Sequence, residues 1–514
     1  MSNERKNLKY KKLNSFMKPK SVQLFKTNNK TSWFILAILS STLLAVMFSE
    51  TMLLPAIPEI MKDFNIPYST AVWVFSAYLI VAAVMTPISG RLSDIYGKKK
   101  VLLTLLVLYT AGIIAGGFTN SILTLLISRI VQGVGLAAVP VAFSILRDVF
   151  PVEKLSIAIG VFSSAYSAGS VLGLLFGANI IQSFGWHATF FLIAPVAAIV
   201  TTIIAIFVPS RKSSQQQSVE SIDSVDKNKK NNKVDIKGGI FLSITITTFL
   251  IGLTLLETGG ISNPALVLLS FSISSLSLGI FIAIEKRSTF PLIDLTMIKH
   301  KIILPSYILL TLTGITMFLI YPTIVQLVRT PQPTGFGGDA IDAGNVQLPF
   351  MITFLVFATI SSFIINRFGN IKPAIIGGIF VIIGTSSLFI FHATEREVSA
   401  NLALMAIGLS LTNIVGWNIL VSSSPKEYTG ISVGVGALLF FLGMAIGPAL
   451  SGIYIQTNQS SIDGIDGLFP SKESFNLIFL TAGILSIVSM FNLVVLKRRM
   501  SYRRKGIQIE NKKD

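Results

Sequence analysis

Apolar residues fall along this chain in long blocks separated by short polar or basic runs. The blocks lie near 33–57, 72–90, 101–119, 122–146, 156–181, 188–208, 238–256, 264–284, 302–326, 343–365, 374–391, 400–421, 430–455 and 475–496. Each is about 20 residues long, the length a helix needs to cross the hydrocarbon of a bilayer. The pattern predicts fourteen transmembrane helices. The first block is too long for a signal-peptide core and lacks a clean cleavage site, so it is read as an uncleaved first span.

The pattern also repeats. In Gly160–Gln182, Ala165, Gly169, Gly173 and Gly177 recur every four residues and form a slowly drifting stripe where another backbone can approach closely, with Gly160 off that stripe. The spacing returns late in the chain, where Gly434, Gly443, Gly447 and Gln456 match Gly160, Gly169, Gly173 and Gln182. A second match relates Gly90–Lys100 to Ser362–Lys372 at nearly the same separation. These offsets pair helices 1–6 with helices 9–14 and leave helices 7 and 8 as an inserted hairpin. The expected fold is all-α: two six-helix bundles over 33–208 and 285–496, a hairpin over 238–284, a flexible cytoplasmic linker over 209–237, and basic tails over 1–32 and 497–514. Two repeated six-helix halves are a transporter architecture, with the substrate path between them near the bilayer midplane.

Composition supports the membrane reading, with 52% hydrophobic residues, 13% charged residues and a mean hydropathy of +0.71. The net charge of +18 is spread in short runs between spans, so it reads as a topology signal rather than a nucleic-acid surface. With the N-terminus inside, 37 of the 42 Lys and Arg residues lie on the inner side; Lys62, Arg329, Arg396 and Lys472 lie outside, and Arg129 lies within a span. Both termini are therefore expected in the cytoplasm. Cysteine is absent, which excludes disulfides and thiolate chemistry. His187, His300 and His392 stand at helix ends without metal-ligand spacing, and no phosphate-binding loop occurs, so neither cofactor nor ATP is expected.

Three sets of residues carry candidate chemistry. Gly90, Asp94, Gly97, Lys98 and Lys99 form the turn from helix 2 to helix 3, where Asp94 can cap a helix or pair with a basic group across the half-interface. Here the chain resembles the major facilitator superfamily. Arg129, costly within a span, begins a run with Gln132, Gly133 and Gly135 that resembles the family's helix-4 motif, to which a role in proton transfer is attributed. The alternative for Arg129 is a snorkelling interfacial side chain. Glu50, in SETMLLP of helix 1, stands at a depth similar to that of Arg129, and the two can meet; it resembles the helix-1 motif of the fourteen-helix drug/proton antiporter branch, which usually has Asp there. A purely structural ion pair is the competing reading. Gly160, Gly169, Gly173 and Gly177 resemble that branch's helix-5 motif, with Leu174 in place of its proline and Ala178 in place of its last glycine.

The resemblance implies a secondary transporter and not an enzyme, exporting amphipathic small molecules or drugs in exchange for protons by alternating access. Glu50 and Arg129 would couple the proton, and Gln132, Asn179, Gln326, Gln347, Asn413 and Asn418 are the polar cavity candidates. The expected setting is the plasma membrane, as a monomer without nucleic acid. A facilitator or specific metabolite or siderophore exporter, and a sensor on the same fold, stay open as alternatives.

Overall fold

The structure is a computed structural model that describes residues 29–53, 56–66, 68–71, 73–208, 235–257, 264–288, 293, 300–425, 428–463 and 465–510. Fourteen of its helices are long and apolar enough to cross a membrane. In chain order they are α1 Asn29–Thr51, α2 Trp73–Tyr96, α3 Lys98–Gly117, α4 Ile122–Val149, α5 Val152–Phe184, α6 His187–Phe207, α7 Ile236–Glu257, α8 Pro264–Arg287, α9 Ile303–Arg329, α10 Ala340–Phe368, α11 Ile371–Ile390, α12 Glu395–Ser423, α13 Thr429–Thr457 and α14 Lys472–Glu510. α4 tightens to one 3-10 turn over Val134–Ala137.

Lipid offers no partner to a free N–H or C=O, so each segment satisfies its backbone internally as a helix. Hydroxyls inside the spans follow the same logic. Thr42, Thr110, Thr254, Thr313 and Thr323 each donate to the carbonyl four residues earlier. Call the side where α1 begins and α14 ends the terminal face. On the opposite face, α4, α10 and α12 begin with reciprocal capping boxes at Ser121/Thr124, Asp339/Asp342 and Thr394/Glu397. That face also carries a short helix, Ile57–Phe64, and a two-stranded hairpin of β1 Gln459–Ile462 and β2 Ile465–Pro470.

Helix packing follows the repeat. α1 packs on α5 as α9 packs on α13, and the halves meet through α2 against α13 and α5 against α10. The α7–α8 hairpin lies beside α2 and α13, with Leu242, Ile246 and Leu250 buried there. Two boundaries differ from the pattern. The first span ends at Thr51, and Ile57–Phe64 is a separate helix, because Pro55 and Pro58 lack the N–H groups that would continue the ladder. α14 runs on to Glu510, into the basic stretch expected as a tail. Residues 1–28 and 209–234, which hold most of the expected N-terminal tail and linker, lie outside the described residues.

Candidate functional site

A buried polar cluster lies inside the first half, around Arg129. Arg129 is fully buried, in the second turn of α4. Its Nε donates to the Val74 carbonyl at 3.1 Å and its NH1 to Gln132 Oε1 at 2.9 Å. The guanidinium lies 4.4 Å from the Tyr78 ring centroid and 5.8 Å from that of Phe75, a cation–π seat that offsets part of the cost of burying the charge. Gln132 Nε2 in turn donates to the Gly112 carbonyl, fastening α4 to α3. Arg129 is thus an interior side chain and does not snorkel to the surface. Its NH2 and the Tyr78 hydroxyl are buried without a hydrogen-bond partner.

Glu50 stands in the last turn of α1, half-buried. A helix end would ordinarily lie at the membrane surface. Here it does not, because Met52 abuts Gly177, which is about 10 Å short of the end of α5 at Phe184. Glu50 is near enough for its charge to act on Arg129, Tyr78, Tyr166 and Tyr321, from α4, α2, α5 and α9. No ion pair joins it to Arg129 within 4.0 Å. The two candidates share a neighbourhood without direct contact.

At the terminal face the turn between α2 and α3 seals the halves together. Gly97, with φ 96°, permits the one-residue reversal. Asp94 accepts from Gly430 N at 3.3 Å and Ile431 N at 3.0 Å, placing a carboxylate on the N-terminus of α13 in the other half. Gly90 lies so close to the Gly430 carbonyl that a Cβ there would collide with it. Lys98 pairs with Asp148 of α4 at 2.7 Å and donates to the Ser144 carbonyl at 2.9 Å. Lys99, beside it, is half-buried. Arg147, not singled out above, crosses the interface to Thr429 Oγ1 at 2.5 Å and the Pro425 carbonyl at 3.3 Å.

The glycines divide their work by face. Gly169, Gly173 and Gly177 lie against Leu44, Phe48 with Thr51, and Met52 of the α1 segment, whereas Gly160 lies against Ala358 and Ser362 of α10. The copy does the same: Gly443 and Gly447 face Thr311, Ile315 and Leu319 of α9, and Gly434 faces Thr86 and Pro87 of α2. Gly160 falls off the stripe because it serves the contact between halves. α5 is continuous past position 174, and the side chains of Leu174 and Ala178 lie outside the described residues.

Of the polar cavity candidates, Gln347 lines an apolar cleft with Ile320, Tyr321, Ile324, Phe350, Leu402 and Met405, and its amide donates to the Tyr321 carbonyl. Gln132 is committed to Arg129 and Gly112, and Asn418 to Asn370 at 2.6 Å. Asn413 is buried, while Asn179 and Gln326 are exposed. Of the six, the structure therefore brings only Gln347 to that cleft, and the tyrosines around Glu50 were not foreseen. A tyrosine in an apolar run carries no sequence signal that separates it from core.

The Major Facilitator Superfamily profile matches residues 39–448 and again 306–513. The chain is 26% identical over 441 residues to Multidrug resistance protein 3 of Bacillus subtilis, covering 83% of this chain and 80% of that one. It is 25% identical to the Tetracenomycin C resistance and export protein of Streptomyces glaucescens, covering 86% and 78%, and 25% identical to the Quinolone resistance protein NorB of Staphylococcus aureus, covering 87% and 93%. Among solved structures, the human organic anion transporter MFSD10 superposes with a TM-score of 0.64 at 15% identity, covering 90% of this chain and 99% of that one. The proton:xylose symporter XylE superposes with a TM-score of 0.60 at 14% identity, covering 90% and 95%. With two repeated halves, fourteen spans and a sealed turn between α2 and α3, the chain belongs to the Major Facilitator Superfamily and is a secondary transporter, not an enzyme.

Proposed function

We propose that this transporter exports amphipathic small molecules from the cytoplasm, exchanging them for protons by alternating access, as a monomer in the plasma membrane. The orientation rests on charge: counted along the sequence, the segments assigned to the side of the two termini hold 37 of the 42 basic residues, and that side is taken as cytoplasmic. The names of the bacterial relatives, which concern drug and antibiotic resistance, support the substrate class. The observation that carries the coupling is Glu50, an ionisable group half-buried among three tyrosines and beside Arg129 but not paired with it while the terminal face is closed. If opening of that face brings the two together, Glu50 holds a proton in one state and releases it in the other. Exchange needs this: each ligand must favour a different state.

A facilitator is the second reading, favoured by the fact that Arg129 already has Val74 and Gln132 as partners and does not need Glu50 to stay buried. Proteoliposomes with an imposed pH gradient separate the two. Glu50→Gln should end uphill accumulation while downhill equilibration of the same substrate continues. If the variant still accumulates substrate with the proton gradient as its sole energy source, Glu50 is not the coupling group.

A further inference from the structure

Four rings cross the half-interface in one file: Phe162 of α5, Phe143 of α4, Trp417 of α12 and Phe440 of α13. Phe143 and Trp417 stack at 5.2 Å with planes 19° apart, and each is held edge-to-face by the helix next to it in its own half, at 4.9 Å by Phe162 and at 6.0 Å by Phe440. All four are buried. Trp417 follows Phe143 by the same separation at which Gly434 follows Gly160, so the two rings occupy matching places in the repeat. Each stands six residues before the terminal-face end of its helix, Val149 for α4 and Ser423 for α12. The repeat thus places one aromatic from each half at the same depth, meeting its own equivalent about the axis that relates the halves.

We propose that Phe143 and Trp417 are the latch of the cytoplasmic gate: their stack closes the path below the central cavity, and the inward-facing state requires it to part. Three features argue for a latch over ordinary core packing. The pair joins two bodies that must separate during transport, rather than two helices of one bundle. It lies about one helical turn inward of the contacts that tie the closed face, Arg147 with Thr429 and Asp94 with the start of α13, and so stands between them and the centre of the molecule. The two rings meet face to face, so they can part without either side chain being withdrawn from a hole in the other half. The inference deepens the alternating-access reading and rests on it, orientation included, but it does not depend on proton coupling.

The chain has no cysteine, so a single reporter can be read cleanly. Ser93 is buried at the contact of α2 with α13, against Gly430, and Ser93→Cys reports opening of this face. In purified transporter in nanodiscs, where a thiol reagent reaches both faces, Phe143→Ala and Trp417→Ala should each speed labelling about tenfold, on the order expected for losing a buried aromatic pair with its packing. The double variant should add little to either single one, because the two rings form one contact. Trp417→Phe keeps a stack and should stay within about twofold of the parent, whereas Phe143→Leu keeps volume and loses the ring face, and should speed labelling about fivefold. If the alanine variants fail to accumulate as folded protein, this conservative pair decides alone. Parental labelling in Phe143→Leu, or simple addition of the two alanine effects, overturns the latch. A transporter that labels as expected yet fails to use a pH gradient would refute proton coupling and leave the latch standing.

Discussion

α5 and α13 are two copies of one helix, and they differ in what supports their first turns. Both lay glycines on the first helix of their own half and turn one glycine, Gly160 or Gly434, toward the other half. α5 carries its own acid, Glu153, in its first turn, where it suits the positive end of the helix dipole. α13 has none and takes Asp94 from α2 instead. The position in α10 that matches Asp94 is Asn366, which is exposed. Identical packing can therefore coexist with unequal electrostatics. One half-interface is tied by charge and can be released by its loss; the other brings Gly160 into close contact with Ala358 and Ser362.

The largest effect should come from what the copies share. A Cβ at Gly173 would come within 2.5 Å of the Phe48 carbonyl oxygen, and one at Gly447 within 2.5 Å of the Leu319 nitrogen. Backbone cannot yield as a side chain does, and overpacking of this kind costs about 1–3 kcal/mol or more. Gly173→Leu and Gly447→Leu should each lower transport at least ~tenfold while the protein remains inserted, measured as substrate efflux normalised to protein in the membrane. If only one of the two is damaging, the copies are not equivalent.

A smaller effect should follow from what they do not share. Asp94→Asn keeps the shape and removes the charge at the start of α13, a loss of about 1 kcal/mol, so labelling of Ser93→Cys should rise about fivefold. Asn366→Asp in the matching place should change it by less than about twofold, since α5 already has Glu153. Equal responses would break the asymmetry. The smallest effect is expected at Thr429→Val, which leaves Arg147 its contact with the Pro425 carbonyl and should raise labelling about twofold at most.

The centre of the molecule repeats the lesson. At the places in the second half that match Glu50 and Arg129 stand Ile324 and Ala403, so polar chemistry sits in the first half and an apolar cleft around Tyr321 and Phe350 in the second. The ions of the first half were legible in the sequence, because an ion within a span stands out against hydrocarbon, whereas the apolar cleft of the second half was not, since Gln326, Gln347, Asn413 and Asn418 pointed to a polar cavity there. The partners of Arg129 were legible only in part. Gln132 follows from the i,i+3 spacing along α4, but Val74 and Tyr78 reach Arg129 only once α2 and α4 pack, and no spacing along either helix specifies that pairing.

The sequence alone determined the fourteen spans, the repeat and the charge asymmetry, because a bilayer imposes length, apolarity and flanking charge on each segment separately. Tertiary structure decided the rest. It placed Glu50 at a helix end that lies below the surface, turned Gly160 onto α10 in the other half, and set Phe143 against Trp417. These depend on how two bundles face each other, and a contact between residues so far apart in the chain is fixed by that docking rather than by any period within a helix.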